Sequence, residues 1–315
     1  MLYSAVGDLN VAKIVLGGAL FGGSIDEKTA FSLLDTYVDR GGNCVDTARL
    51  YTNGNSEATI GKWLRDDPQK RDKLILSTKG GHPAPEAMHI SRLSEQELEQ
   101  DLDGSLRALG VDCIDLYWLH RDDIAREPEE LLYVMNKFVK KGKIRYPGVS
   151  NWHADRIQQA NAFAVENGLV PFVGSQIQWS LAHLNRPPWG DTTLVLMNER
   201  EHAACVAAGV PVFAFSSQAG GIFSILQKSG MEALAAHHRE TYLNETTLKR
   251  YEVANRLAAE HGVSIAAIVL AYVYADSQLS GHALIGPANT ALLLDSISHT
   301  DFMLTPEEIG QLHVT

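Results

Sequence analysis

The chain has 315 residues, of which 45% are hydrophobic and 21% charged, so it can bury a substantial core and lacks the composition of a disordered protein. Its net charge of -11 argues against nucleic acid and anionic membranes as partners, because both attract basic surfaces. The first residues have neither the basic start nor the apolar core of a signal peptide, and no apolar run approaches membrane-spanning length. We therefore expect a globular cytoplasmic protein.

Eight short apolar runs, typical of buried parallel strands, follow one another along the chain. They begin near residues 14, 44, 74, 113, 144, 172, 211 and 283. The amphipathic segments between them predict helices at 27–38, 56–64, 94–109, 128–140, 153–166 and 194–207. Ser94 and Glu97 have the spacing of a capping box, and Gly110 falls where that helix should stop.

Strand and helix alternating eight times at near-even spacing favours a (β/α)8 TIM barrel over a doubly wound sheet. The interval from 211 to 283 is the longest, and helix-like segments at 222–236, 246–260 and 264–275 lie within it. We therefore expect extra helices and a long loop after the seventh strand. No linker or low-complexity tract interrupts the chain, which indicates a single domain over residues 1–315.

The cysteines are three in number, far apart and set in apolar contexts. Cys44, Cys113 and Cys205 are therefore expected to be buried free thiols rather than disulfides. A zinc site is not expected either, because His120 has no second His or Cys at ligand spacing.

Three consecutive predicted strands end on ionisable residues, namely Asp46, Lys79 and His120, and Tyr51 follows five residues after Asp46. The carboxyl ends of parallel strands meet at one mouth of a barrel, so these side chains should lie together there. Singly, Asp46 could cap a helix, Lys79 could be a solvated loop lysine and His120 a hydrogen-bonded core histidine. Their joint occurrence at successive strand ends favours a catalytic site.

At these residues the sequence resembles the aldo-keto reductase family, and the resemblance covers nearly the whole chain. The four catalytic residues of that family match Asp46, Tyr51, Lys79 and His120 one for one. The resemblance implies hydride transfer between a nicotinamide cofactor and the carbonyl of an aldehyde or ketone, with alcohol oxidation as the reverse reaction. It implies that Tyr51 is the general acid, that Lys79 and Asp46 tune it, and that His120 orients the carbonyl. A free tyrosine has a pKa of about 10, which is too high for ready proton exchange at neutral pH. The ammonium of Lys79 beside Tyr51 would lower that pKa by favouring the phenolate.

The cofactor contacts that the resemblance implies begin after the fifth strand. The stretch 142–151 is similar to the family's fifth strand, whose Ser and Asn hold the nicotinamide carboxamide; these are Ser150 and Asn151, with Gln176 as a third contact. After the seventh strand, Phe215 takes the place of the aromatic that stacks on the nicotinamide. The loop that wraps the pyrophosphate would include Ser216, Ser217 and Gln218, the last two replacing the usual Pro-Leu pair.

The stretch 285–296 is similar to the family's adenosine-binding strand end, with Gly286 at its turn. Ala288 and Asn289 stand where an arginine commonly grips the 2′-phosphate, and Leu292 and Ser296 replace the usual polar contacts. NADPH is the family default, and NADH is the alternative that these departures leave open.

Loops rich in Gly and Pro at 21–24, 82–89 and 182–190 are candidates for the substrate pocket, which would include Phe21 and His82. Trp179 could wall the pocket or pack in the core. No basic cluster marks an anionic substrate, so sugars, aromatic aldehydes and steroids stay open. Two rival functions are oxidation of a sugar hydroxyl and a nucleotide-sensing regulatory protein with little turnover; the sequence does not indicate the oligomeric state.

Overall fold

Eight parallel strands form a closed barrel in the computed structural model, which describes residues 1–313. The barrel order is β10-β3-β4-β5-β6-β7-β8-β9, so the sequence-predicted (β/α)8 barrel is confirmed. The strands are β1 (Tyr3–Val6), β2 (Leu9–Ala12), β3 (Ile14–Gly17), β4 (Cys44–Asp46), β5 (Ile75–Gly80), β6 (Ile114–Leu119), β7 (Ile144–Ser150), β8 (Ser175–Gln178), β9 (Val212–Phe215) and β10 (Gly281–Ile285).

Helices cover the outside of the barrel, and their caps follow the sequence signals. Ser94 accepts from the backbone of Glu97 in the expected capping box, and Gly110 ends the same helix in the left-handed region. The helices are α1 (Glu27–Asp39), α2 (Asn55–Asp66), α3 (Gln69–Asp72), α4 (Glu95–Leu109), α5 (Pro128–Lys140), α6 (Ala154–Asn167), α7 (Glu199–Ala208), α8 (Ile222–Ser229), α9 (Ala236–Tyr242), α10 (Glu245–His261), α11 (Ile265–Tyr274), α12 (Thr290–Ile297) and α13 (Pro306–Leu312).

The sixth barrel strand lies further along the chain than the sequence predicts. It is β8, and the apolar residues Phe172 and Val173 precede it. Phe172 instead packs against Trp152 outside the barrel. The prediction was wrong because it followed the apolar run, whereas β8 is rich in polar residues.

Helix α7 begins at Glu199 rather than at residue 194. Asn198 caps it, because its side chain accepts from the backbone of Glu201. The residues before this cap are extended, and Leu196 bridges to Gln178 at the end of β8. The segment 194–198 therefore borders the barrel mouth instead of continuing a helix.

The long connection after β9 contains four α-helices. The segment 222–236, predicted as one helix, is divided at Gly230, whose φ of 76° suits glycine. Helices α10 and α11 match the two later predictions closely. Within residues 1–313 no single helix has both the length and the hydropathy to cross a membrane; α10 and α11 would do so only as a pair, and they are bent by 105°.

An antiparallel hairpin, β1 and β2, precedes the barrel and was not predicted. Its buried residues Val6, Leu9 and Val11 pack with barrel-interior residues such as Val15 and Phe213. This places the hairpin at the floor of the barrel, because β2 leads directly into the start of β3. The floor is thereby closed, and the carboxyl ends of the strands form the open mouth.

Candidate active site

The backbone register of β4, β5 and β6 brings three of the predicted catalytic residues to the barrel mouth. Asp46 lies opposite Ser77 in the ladder, and Lys79 lies opposite Trp118. The ladder continues past β6, where the backbone of His120 donates to the carbonyl of Gly80 at 2.9 Å. Strand alternation then turns all three functional side chains toward the barrel axis.

Lys79 and Asp46 form a buried ion pair. The Lys79 Nζ lies 2.5 Å from Asp46 Oδ2 and also donates to the Thr47 carbonyl at 2.7 Å. The two residues are 1% and 3% exposed. Burial alone would lower the pKa of Lys79, but the charge of Asp46 and the neighbouring Tyr51 outweigh burial and raise it. Lys79 is therefore a fixed positive charge.

A chain of hydrogen bonds holds the other Asp46 oxygen in place. Oδ1 accepts from the Ser77 hydroxyl at 2.6 Å and from Gln176 Nε2 at 3.1 Å. Ser77 in turn accepts from the indole of Trp118 at 2.7 Å. Sequence reasoning missed Ser77 and Trp118, although the period of β5 and β6 could have placed both on the inward face.

Tyr51 opens a short 3₁₀ turn, Tyr51–Gly54, that leaves β4 over the barrel mouth. Thr52 and Asn53 adopt left-handed φ values of 47° and 55°, which turns the chain sharply after Tyr51. The Lys79 Nζ lies 4.7 Å from the centre of the Tyr51 ring, and the His120 ring lies 5.7 Å from it. All four predicted catalytic residues are therefore together.

His120 is buried beside these groups, at 6% exposure. Burial, and after it the positive charge of Lys79, holds the pKa of His120 well below its usual range, so the ring is neutral. Its Nδ1 is buried and has no hydrogen-bond partner within residues 1–313. Behind it, Arg121 donates to the His120 carbonyl at 2.9 Å and pairs with Asp191 at 2.8 Å, which ties the segment after β8 to this strand end.

Of the three predicted substrate-pocket residues, only His82 lies at the site. Its ring packs edge-on against His120, with the centroids 4.6 Å apart. Phe21 is fully buried in the core beside Ile60, and Trp179 packs against Tyr272 of α11. Neither Phe21 nor Trp179 is among the residues that line the cavity beside the catalytic residues, and their contact with a substrate stays a prediction.

A cavity of about 170 Å³ opens beside the catalytic residues. Its walls are formed by Arg49, Leu50, Asn53, Lys79, Gly80, His82, Arg92, Asp101 and His120. The two arginines in this wall are both paired: Arg49 bonds Glu57 at 2.8 Å, and Arg92 bonds Asp101 at 3.0 Å. Their charges are thus neutralised, which suits an uncharged substrate.

The predicted nicotinamide contacts lie on the opposite side of the mouth. Ser150 donates to the Gln176 carbonyl at 2.9 Å, and Asn151 donates to the Ser150 hydroxyl at 3.0 Å. The Gln176 Nε2 donates to Asp46. Among the described residues, no protein group bonds the Gln176 Oε1. That oxygen is an acceptor suited to a carboxamide NH2, so these residues fit a nicotinamide.

Phe215, at the end of β9, is half-buried against the residues that fill the barrel. The next residue, Ser216, has a left-handed φ of 52° that turns the chain away from the strand. Ser217 is buried and donates to the Leu284 carbonyl at 2.7 Å, so its side chain fastens this loop to β10. Gln218 reaches α12, where its Nε2 donates to the Ser296 hydroxyl at 3.0 Å.

At the predicted adenosine end, the start of α12 carries no cationic side chain. Asn289 caps this helix by accepting from the Leu292 backbone at 3.0 Å. Gly286 and Ala288 are exposed, and a Cβ added at Gly286 would meet nothing within 4 Å. The nearby Lys228 pairs with Asp295 at 3.4 Å. This end offers open space and helix-terminal amides rather than a charge for a 2′-phosphate.

Titratable clusters elsewhere do not suggest a metal centre. In the part of the chain that the structure describes, no three His, Cys, Asp or Glu side chains are arranged to hold a metal ion. The cysteines are free thiols, with Cys44 and Cys205 buried and Cys113 partly exposed.

Together, the closed parallel barrel and the ionisable side chains at its strand ends define an enzyme-type (β/α)8 barrel. The model of the "Aldo/keto reductase family" matches residues 13–314. The chain belongs to the aldo/keto reductase family. It is an oxidoreductase that transfers a hydride between a nicotinamide cofactor and a carbonyl group.

Curated relatives extend this assignment over nearly the whole chain. A putative aryl-alcohol dehydrogenase of Saccharomyces cerevisiae is 30% identical over 98% of this chain and 84% of its own. An uncharacterized oxidoreductase of Bacillus subtilis is 29% identical over 97% of this chain and 92% of its own. A norsolorinic acid reductase of Aspergillus flavus is 34% identical over 58% of this chain and 50% of its own. None of these similarities favours the regulatory alternative.

Proposed function

We propose that Tyr51 is the general acid of carbonyl reduction and gives its hydroxyl proton to the carbonyl oxygen. The position of the Lys79 ammonium, 4.7 Å from the centre of the Tyr51 ring and bonded to Asp46, is the observation that carries this proposal. A positive charge there stabilises the phenolate that forms when Tyr51 loses its proton. In alcohol oxidation, the same phenolate accepts the proton.

His120 has a different role, which is to orient the carbonyl oxygen. Because burial and Lys79 depress the pKa of His120, its ring is uncharged and can donate one hydrogen bond without supplying the proton. Tyr51 and His120 lie edge to face, 5.7 Å apart, so one oxygen atom can contact both.

A bound nicotinamide cofactor supplies the hydride in this reaction. Ser150, Asn151 and Gln176 would hold its carboxamide, and Phe215 would stack on its ring. The remaining proposed contacts line the loop after β9 and the start of α12: Ser216, Ser217, Gln218, Gly286, Ala288, Asn289 and Ser296. We take NADPH as the cofactor because it is the default of the family. NADH is the alternative, because Ala288 and Asn289 carry no charge that could pair with the 2′-phosphate of NADPH.

The substrate we propose is a neutral small-molecule carbonyl compound or alcohol. Both arginines of the cavity are paired, and the name of the aryl-alcohol dehydrogenase relative makes aromatic aldehydes a reasonable first set of substrates to test. The expected cytoplasmic location is supported by the three free thiols, which suit a reducing compartment.

The test is loss of nicotinamide absorbance when the protein receives NADPH, and then NADH, with a reactive aromatic aldehyde. Tyr51→Phe should lower kcat by about 100-fold or more, because general acid catalysis contributes about that factor. The matched control is Tyr133→Phe on the exposed face of α5, which should leave the rate unchanged. Cofactor binding, followed by fluorescence, should survive in both variants. Full activity in Tyr51→Phe would refute the proposed role.

A further inference from the structure

His82 is a polar residue of the cavity that the proposed chemistry does not use. It lies in the segment after β5, and its ring contacts the ring of His120, which orients the carbonyl. Because His120 is proposed to orient the carbonyl, a side chain packed against its ring is placed to contact a substrate atom near that carbonyl.

The proton on the neutral His82 ring can be assigned from its neighbours. Nδ1 lies 2.6 Å from the carbonyl oxygen of Pro83, which can only accept a hydrogen bond, so Nδ1 must carry the proton. Nε2 is then a lone-pair acceptor. Among the described residues no protein group bonds Nε2, and it is not one of the buried, unpartnered atoms, so it is open to the cavity.

The segment that carries His82 is anchored on both sides of this residue. Arg92 donates to the His82 carbonyl at 3.2 Å and pairs with Asp101 on α4. Asp101 also accepts from the Gly81 backbone at 2.9 Å. Burial lowers the pKa of His82, which keeps its ring neutral. The acceptor is therefore held in place before a substrate arrives.

We propose that His82 is a specificity-determining residue, whose Nε2 accepts a hydrogen bond from a hydroxyl group next to the substrate's carbonyl. The substrate class is then an α-hydroxy aldehyde or ketone, or the corresponding 1,2-diol in the oxidation direction. The carbonyl oxygen contacts Tyr51 and His120, and the neighbouring hydroxyl contacts His82. This inference rests on the proposed function and narrows its substrate.

The test compares two aldehydes that differ only in a hydroxyl group replaced by a methyl group, lactaldehyde and isobutyraldehyde. The ratio of their kcat/KM values measures the hydroxyl preference and cancels any general loss of activity. In His82→Leu this ratio should fall by about 10-fold or more, because a hydrogen bond inside a site discriminates strongly.

Two further variants complete the test. His82→Gln keeps an acceptor oxygen and should retain most of the preference. His89→Leu, the same substitution at an exposed histidine of the same segment, should leave the ratio as in the wild type. An unchanged ratio in His82→Leu, or an equal loss with both aldehydes, would overturn the proposal.

If the wild type reduces neither aldehyde, the proposed function fails by itself, and the hydroxyl preference is then measured as binding. Saturation-transfer NMR with the two product alcohols, 1,2-propanediol and isobutanol, provides that measurement. Preferential binding of the diol that disappears in His82→Leu would support the role of His82. Equal binding of the two alcohols to the wild type would contradict it.

Discussion

The Asp46–Lys79 ion pair has two functions. It stabilises the folded site, and it places a positive charge beside Tyr51. Removing the ammonium in Lys79→Met leaves the Asp46 carboxylate buried without its cation. We expect a loss of about 3–5 kcal/mol in the free energy of unfolding, measured by urea titration, because an unpaired buried charge is costly. Turnover should be lost as well, since the phenolate of Tyr51 is no longer stabilised.

The double variant Asp46→Asn, Lys79→Met provides the control for this prediction. It removes both charges, so it should recover much of the lost stability while staying inactive. A double variant no more stable than Lys79→Met would show that the hydrogen bonds of Asp46, and not its uncompensated charge, carry the effect.

Three of the residues that the sequence predicted at this site are ionisable and lie at the end of a strand. Asp46, Lys79 and His120 could be placed together because parallel strands end at the same mouth. Strand alternation could place Ser77 and Trp118 on the inward face, but it could not reveal their hydrogen-bond chain to Asp46, because a serine or tryptophan within an apolar strand is usual in any core. The burial of Phe21 could not be predicted for a related reason: a residue in a Gly-rich loop can still turn inward and be fully buried.

At the scale of single elements, β6 and β7 depend on Gly148. A Cβ added there would lie 2.3 Å from the Trp118 ring, so the indole would have to move. Gly148→Ala should then cost about 1–3 kcal/mol through overpacking and weaken the Trp118–Ser77–Asp46 chain. Thermal unfolding measures the first effect, and kcat with an aromatic aldehyde measures the second.

Gly310 offers the opposite case, since it lies in helix α13 and a Cβ added there would meet no atom of the described residues within 4 Å. Gly310→Ala should stabilise the protein by about 0.5–1 kcal/mol, because alanine loses less backbone entropy than glycine in a helix. Equal changes in unfolding temperature for the two glycine variants would contradict the packing argument.

The ends of helices and strands could be predicted where a cap or an apolar run marks them. They could not be predicted where polar residues of the site stand in place of the expected apolar ones. The predicted α4 agrees within a residue because Ser94 and Gly110 mark its ends. Strand β8 was misplaced because its Gln176 and Gln178 face the barrel interior instead of apolar side chains. The hairpin was missed because its strands are only four residues long each.

His282 joins that hairpin to β10 and makes the barrel floor sensitive to acid. Its Nδ1 donates to the Ala12 carbonyl at 3.0 Å, its Nε2 accepts from Ser4 at 3.0 Å, and its ring stacks on Phe213. Burial lowers the pKa of His282 from 6.5 to about 3. Between those values the unfolded chain binds a proton that the folded ring excludes, so stability falls as the pH decreases below about 6.5.

The measurement is the free energy of unfolding at a series of pH values from about 7 to about 4.5. The wild type should lose more stability over this range than His282→Gln, which carries no titrating group at the floor. His89→Gln is the control at an exposed site and should follow the wild type. Parallel profiles for wild type and His282→Gln would contradict this assignment.

For the whole molecule, the net charge of -11 opposes the approach of an anionic cofactor. Salt screens such repulsion, since the Debye length is only about 10 Å at 0.1 M ionic strength. Cofactor binding should therefore strengthen as salt is raised over the low range, and NADPH should respond more than NADH because it carries one more phosphate. Fluorescence titrations at several salt concentrations measure this. Weaker NADPH binding at higher salt would reveal a local basic site that outweighs the net charge.

The pairing of β3 with β10 closes the barrel between segments that are far apart along the chain, as the 270-residue separation of Ala12 and His282 shows. Contacts of such long range form late during folding, because the entropy of a large loop must be lost before they can be made. Substitutions at this seam should therefore accelerate unfolding and leave the folding rate almost unchanged. The unfolding rate of the native barrel would then depend on contacts at its closed floor, which lies opposite the residues that carry out the reaction.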